Sequence, residues 1–186
     1  MRLFIGIDPG FGTRGKEDAT GGGIVCIKED GTFFWEAHGY RDEAALALAI
    51  QALFAVDLSP ARALMEDAPG FPGMNAKAIA GLNRSAGAFR ALFAARSVLL
   101  EEIAPRKWPP LLGIALPQPF SAKRLGQMST KERSAWSRRQ KAEYVRRKED
   151  EALRLWPGHE AWGHPGLRDA ALIAEVLRRR EVGGGA

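Results

Sequence analysis

The segment Leu3–Ile7 (LFIGI) is apolar throughout and stops on Asp8–Pro9–Gly10. So short and uniform a run reads as a buried strand. A buried strand constrains everything that follows it, because its backbone must be paired and its faces covered. Its ending raises a chemical question. Asp, Pro and Gly all favour turns, so Asp8 has an ordinary structural explanation. A strand end is equally a rigid mount for a metal-binding acid. Asp8 alone does not decide; the answer depends on whether other acids reach it.

The remaining pattern gives that strand its neighbours. After strand Arg2–Ile7, the Gly-rich and charged segment Phe11–Gly22 reads as a loop. Gly23–Lys28 and Thr32–His38 read as strands joined by the turn Glu29–Asp30–Gly31, so the chain opens as an antiparallel meander. Helix Glu43–Phe54, strand Arg62–Met65 running into Glu66 and Asp67, loop Ala68–Asn75, helix Gly81–Arg96 and strand Val98–Ile103 follow. Pro105, Pro109, Pro110, Pro117 and Pro119 break regular structure. Ser129 and Glu132 have capping-box spacing and open a long basic helix reaching Leu155. Loop Trp156–Pro165 leads to a final amphipathic helix, Asp169–Arg180. Three strands, then alternating helix and strand, then helices imply an α/β fold: a mixed sheet with helices packed on it. Residues 1–182 read as one domain, with 183–186 a frayed tail.

Composition narrows the class. A chain of 186 residues, 46% hydrophobic, is long enough for one sizeable core. The net charge of +5 favours an anionic partner. The lone cysteine, Cys26, rules out an intrachain disulfide and reads as core. No apolar run approaches the roughly 20 residues of a membrane span. Asp8 interrupts the first apolar run too early for a signal peptide, so a cytoplasmic protein is expected.

Three acids occupy comparable places. Asp8 ends the first strand, Glu66 ends the fourth, and Asp169 opens the last helix at the edge of its apolar stripe Ala170, Ile173, Ala174 and Leu177. Each has a plain alternative: turn former, surface residue, or helix N-terminal acid. Gathered together they would repel, and divalent cations are the usual remedy. Magnesium prefers oxygen ligands, and two such ions about 4 Å apart can activate a water and stabilise the leaving 3′-oxygen of a phosphodiester.

In order and spacing, FIGIDPG, LMEDAPG, GLNRSAGAFRALF, VLLEEIAPRKW, QKAEYV and HPGLRDAALIAE together resemble the RuvC family of Holliday-junction resolvases, of the ribonuclease H-like superfamily, and phage-type members in particular. The resemblance covers most of the chain. It implies a five-stranded mixed sheet in the order 3-2-1-4-5 flanked by helices. It further implies a homodimer that resolves four-way DNA junctions by paired symmetric nicks leaving 5′-phosphate ends, in a bacterial or phage-infected cell. Two Mg2+ ions per site, replaceable by Mn2+, would be held by Asp8, Glu66 and Asp169, with no small-molecule cofactor.

The family's fourth ligand, an Asp or His shortly before the last Asp, is missing from Gly166–Leu167–Arg168. His164 is the nearest candidate, with His159 and Asp67 weaker ones and His38 a strand residue. Lys141 resembles a family lysine near the scissile phosphate; it is equally one more charge on a basic helix. Two stretches depart from the family: Phe11–Gly22 lengthens the first connection, and Leu116–Trp136 the approach to the basic helix.

From Lys123 to Lys148 bases outnumber acids, and Lys123, Arg124, Arg138, Arg139 and Lys141 are expected on DNA phosphates, joined by Arg84 and Arg90. Phe71 and Met74 are apolar residues in the loop after Glu66. The family implies a base-unstacking wedge there, with packing inside the subunit the alternative. Trp108, Trp136 and Trp156 read as core or interface residues rather than stacking platforms. The rivals to a resolvase are a broader flap, fork or RNA–DNA hybrid nuclease, a non-catalytic junction-binding protein, and a kinase-like relative. The last lacks a second Gly-rich phosphate loop.

Overall fold

The computed structural model describes residues 2–10, 22–38, 42–55, 60–67, 76–118, 127–159 and 164–183. Five strands, β1 (Leu3–Asp8), β2 (Gly23–Lys28), β3 (Phe33–His38), β4 (Ala61–Glu66) and β5 (Leu99–Ile103), form one sheet in the order β3-β2-β1-β4-β5. β1 is antiparallel to β2 and parallel to β4; β5 runs parallel to β4. The mixed α/β sheet expected from the sequence is therefore present, in the expected order, flanked among the described residues by four helices.

Alternation along the strands sorts the core into two layers. Leu3, Ile5, Ile7, Ile24, Cys26, Ala63 and Met65 pack under α1 (Glu43–Phe54) and α2 (Ala76–Ala95) through Leu46, Ile50, Leu53, Phe89 and Phe93. Phe4, Val25, Ile27 and Leu64 face the other way. They are covered by α4 (Pro165–Gly183), by Ala152 of α3 (Thr130–Leu155), and by Trp108 and Leu112 around a 3-10 turn at Pro109–Leu112. Cys26 is buried and free, as expected. Among the described residues no helix is long and apolar enough to cross a membrane.

Two helix starts differ from the sequence reading. α2 begins at Ala76, ahead of Gly81. α4 begins at Pro165, so Asp169 lies in its second turn rather than at its start. The reason is local. His164 Nδ1 accepts the Leu167 N–H, and the His164 carbonyl accepts the Arg168 N–H, so His164 caps the helix with Pro165 in the first helical position. The capping box of α3 is formed as expected, Ser129 with Glu132. Gly183 belongs to α4; 184–186, like most of the Phe11–Gly22 loop, lie outside the described residues.

Candidate active site

The strand register places the first two acids. Ile7 of β1 is level with Met65 of β4, so Asp8 and Glu66, the next residues of two parallel neighbours, stand side by side. Both belong to the face that Phe4 and Leu64 present to α4. Glycine brings the third. A Cβ on Gly6 would stand 2.0 Å from the Ala170 carbonyl oxygen and 2.3 Å from the Ala174 nitrogen. Gly23, level with Asp8 across the β1–β2 pair, would likewise meet the Gly166 carbonyl oxygen at 2.5 Å. With side chains absent at these two points, α4 rests directly on the sheet backbone. Asp169, next to Ala170, thereby arrives at the carboxylate end of β1.

The electrostatics record the convergence. Burial pushes the Asp8 carboxyl well above the usual carboxylate range; the charges of Asp169 and Glu66 push it further, and Lys148 and Arg168 pull it back. Glu66 is also raised, chiefly by burial and then by Asp169, against a 2.6 Å hydrogen bond donated by Trp108 Nε1.

Two buried cations answer this charge. The Lys148 ammonium donates to Asp169 Oδ2 and lies 5.0 Å above the Tyr144 ring and 5.8 Å from that of Trp108. Arg168, only 2% exposed, donates from Nε to Asp169 Oδ1 at 3.3 Å and from Nη1 to Glu149 Oε1 at 2.8 Å. Among the described residues, no three His, Cys, Asp or Glu side chains are disposed as a ready metal-binding group. The donor chemistry, carboxylate oxygens under mutual repulsion, fits a hard divalent cation. The side-chain arrangement instead has Asp169 engaged by Lys148 and Arg168.

The other expected site residues fall in several places. His164 is held neutral, its pKa lowered by burial and by His38, whose ring centroid lies 4.4 Å away. Its Nδ1 lone pair serves the helix cap, which assigns the ring proton to Nε2. As placed, it offers no lone pair to an ion. His159 pairs with Glu36 at 3.3 Å and stacks on Phe33, and the Asp67 N–H donates to the Ile103 carbonyl. Lys141 is exposed on α3, two helical turns before Lys148. Arg138 and Arg139 are exposed beside it, and Arg84 is exposed on α2. Arg90 grips Glu102 through two hydrogen bonds of 2.5 and 3.1 Å, so its charge is already neutralised. Phe71, Met74, Lys123 and Arg124 lie outside the described residues.

Sequence reasoning missed Lys148, Arg168, Trp108 and Tyr144 as members of the site. A signal was present for two of them. Lys141, Tyr144 and Lys148 are spaced i, i+3, i+7, one stripe of a helix, so a lysine placed on that stripe has a second candidate two turns on. Trp108 and Trp156 do pack in or against the core, as expected.

No protein-family model matches the chain, and no curated protein matches it significantly.

Proposed function

We propose that the chain is a metal-dependent endonuclease of the ribonuclease H-like kind, acting on branched DNA and, by its resemblance to the RuvC family, on four-way junctions as a homodimer. One observation carries the reading. Asp8 and Glu66 end adjacent parallel strands in register, and α4, seated on Gly6 and Gly23, brings Asp169, remote in sequence, to the same end of the sheet. Asp8, Glu66 and Asp169 would hold Mg2+ or Mn2+, and the bound ions would supply an activated water and charge relief for the leaving 3′-oxygen.

The chain's own groups have distinct tasks. Trp108 fixes the orientation of Glu66 through its indole N–H. Lys148 and Arg168 keep the acids together before an ion arrives and put positive charge where a phosphate must approach. Arg138, Arg139 and Lys141 project from the first half of α3 and suit phosphate contacts. Among the described residues, Arg146 and Arg147 pair with Glu143 and Arg154 with Glu151 in the second half of α3.

A strand-resolved cleavage assay on a synthetic four-way junction, with Mg2+, Mn2+ and chelator arms, tests this. Paired nicks with 5′-phosphate ends, dependent on the ion and lost in Asp8→Asn, are expected. Equal cutting of plain duplex or RNA–DNA hybrid would replace junction selectivity with a broader nuclease. A second reading, junction binding without cleavage, draws on the engagement of Asp169 by two cations and the lack of a ready three-donor group among the described residues. Calorimetric titration with Mg2+ separates them, since this reading requires that no ion bind at the acids.

A further inference from the structure

Beside the acids lies a cavity of about 270 Å³ between α3 and the segment after the 3-10 turn. Trp136 and Tyr144 give it two aromatic surfaces, Arg106 and Lys141 two cations, and Gln118 and Gln140 two amides. Among the described residues its lining contains no carboxylate. We propose that this cavity receives one unpaired nucleotide of the strand entering the acid cluster, its base against Trp136 and its phosphate on Arg106 and Lys141. This rests on the nuclease reading and extends it to how the site chooses a strand.

The lining matches each part of that ligand. A base has a π-face that stacks on indole or phenol whatever its identity. Amides bond base edges in either sense, because each carries donors and an acceptor. A guanidinium and an ammonium suit the phosphate. The volume lies just below the roughly 300–1,000 Å³ of drug-sized ligand pockets, so a single nucleotide is the right scale and a duplex is not.

Position supplies the second argument. Tyr144 walls the cavity and also lies beneath the Lys148 ammonium, which is bonded to Asp169. The acid charges reach its phenol: burial, then Asp169, then Glu66 push its pKa up. Tyr144 and then Lys148 thus stand between the cavity and Asp169, so a nucleotide seated here is a near neighbour of the phosphodiester at the carboxylates. Seating it requires a base already out of its stack, which branched DNA offers and plain duplex does not.

The test uses four-way junctions carrying 2-aminopurine at the crossover, titrated in chelator so that nothing is cut. Binding should change the 2-aminopurine emission. Trp136→Ala should suppress that change and weaken binding about 10-fold, and Trp136→Phe should restore most of it. Arg106→Ala, on an exposed side chain, should weaken binding with the emission change retained at saturation. Thermal melts identify any variant that fails to fold, and Arg106→Ala and Trp136→Phe then carry the test.

Wild-type emission and affinity in both Trp136→Ala and Arg106→Ala would overturn the proposal. So would 2-aminopurine mononucleotide binding as tightly as the junction, which would make the cavity a free-nucleotide site. Failure of the nuclease reading shows separately. A wild-type chain that cuts nothing while Trp136→Ala loses the emission change leaves the cavity assigned and removes the enzyme. A chain that cuts while both variants bind as wild type does the reverse.

Discussion

A charge on Asp8 is disfavoured in the metal-free fold. Its carboxyl is pushed up by burial, then by Asp169 and Glu66. A group whose folded pKa exceeds its unfolded value costs stability once the pH rises above the unfolded value, about 3.9 for Asp. Asp8→Asn should therefore raise the melting stability of the metal-free chain at pH 7, and the gain should shrink as the pH falls toward 4. The same variant should abolish cleavage. Melting curves in chelator and the junction assay read the two effects separately. Lys148 is the complement. Lys148→Met keeps the stem and removes the charge from Asp169, which should cost about 3–5 kcal/mol in the metal-free chain. Added Mg2+ should raise the melting temperature of this variant more than that of wild type, because the ion supplies the missing positive charge. An equal rise in both would remove the counter-charge role.

At the scale of elements, α4 is the decisive piece. It is buried from Gly166 through Leu177, except for the partly exposed Asp169. Gly6→Ala would force a methyl into the Ala170 carbonyl, so α4 must lift and carry Asp169 away from Asp8. The expected cost is about 1–3 kcal/mol or more, with a loss of cleavage larger than the loss of fold, measured by melting and by activity below the melting point. Farther along α4, Glu175 is 2% exposed and accepts from Arg178 at 2.6 and 2.8 Å and from Arg179 at 2.7 Å. Burial alone would raise its pKa, but the two arginines outweigh it and hold the carboxyl below its usual range. Its stabilising contribution is complete above the unfolded value of about 4.3 and fades as the pH falls through the lower folded value. Glu175→Gln should cost about 1–3 kcal/mol at pH 7. Melts between pH 7 and 3 should show the difference from wild type closing at the acid end.

For the whole molecule, the sheet and two of the three acids were legible because strands announce themselves. Short apolar runs broken by Gly and Asp mark Leu3–Asp8 and Gly23–Lys28, and each strand-end acid is read directly from where its run stops. Asp169 was legible as a residue and misread as a helix start, because the cap is an imidazole at His164 rather than one of the usual short polar side chains. The cations were obscured by abundance. Among so many Lys and Arg in α3, sequence does not say that Lys148 turns inward while Lys141 stays outside. Arg90 was expected on DNA, and its neutralisation by Glu102 depends on a contact between α2 and β5 that no local pattern encodes. Charge at the molecular scale gives a last expectation. If the outer face of α3 meets DNA, Arg138→Ala with Arg139→Ala should reduce the slope of log binding constant against log salt by about 2 in magnitude. An unchanged slope in a salt titration would place the DNA elsewhere.

The direct seating of α4 on Gly6 has an engineering consequence. Where two carboxylates are spaced by main chain against main chain, their separation is gauged by backbone thickness and does not drift when interior side chains are exchanged. The opposite layer, around Phe89 and Phe93, is therefore free ground for redesign. Thermostable versions of this protein are best sought there, with the chemistry left undisturbed on the far side of the sheet.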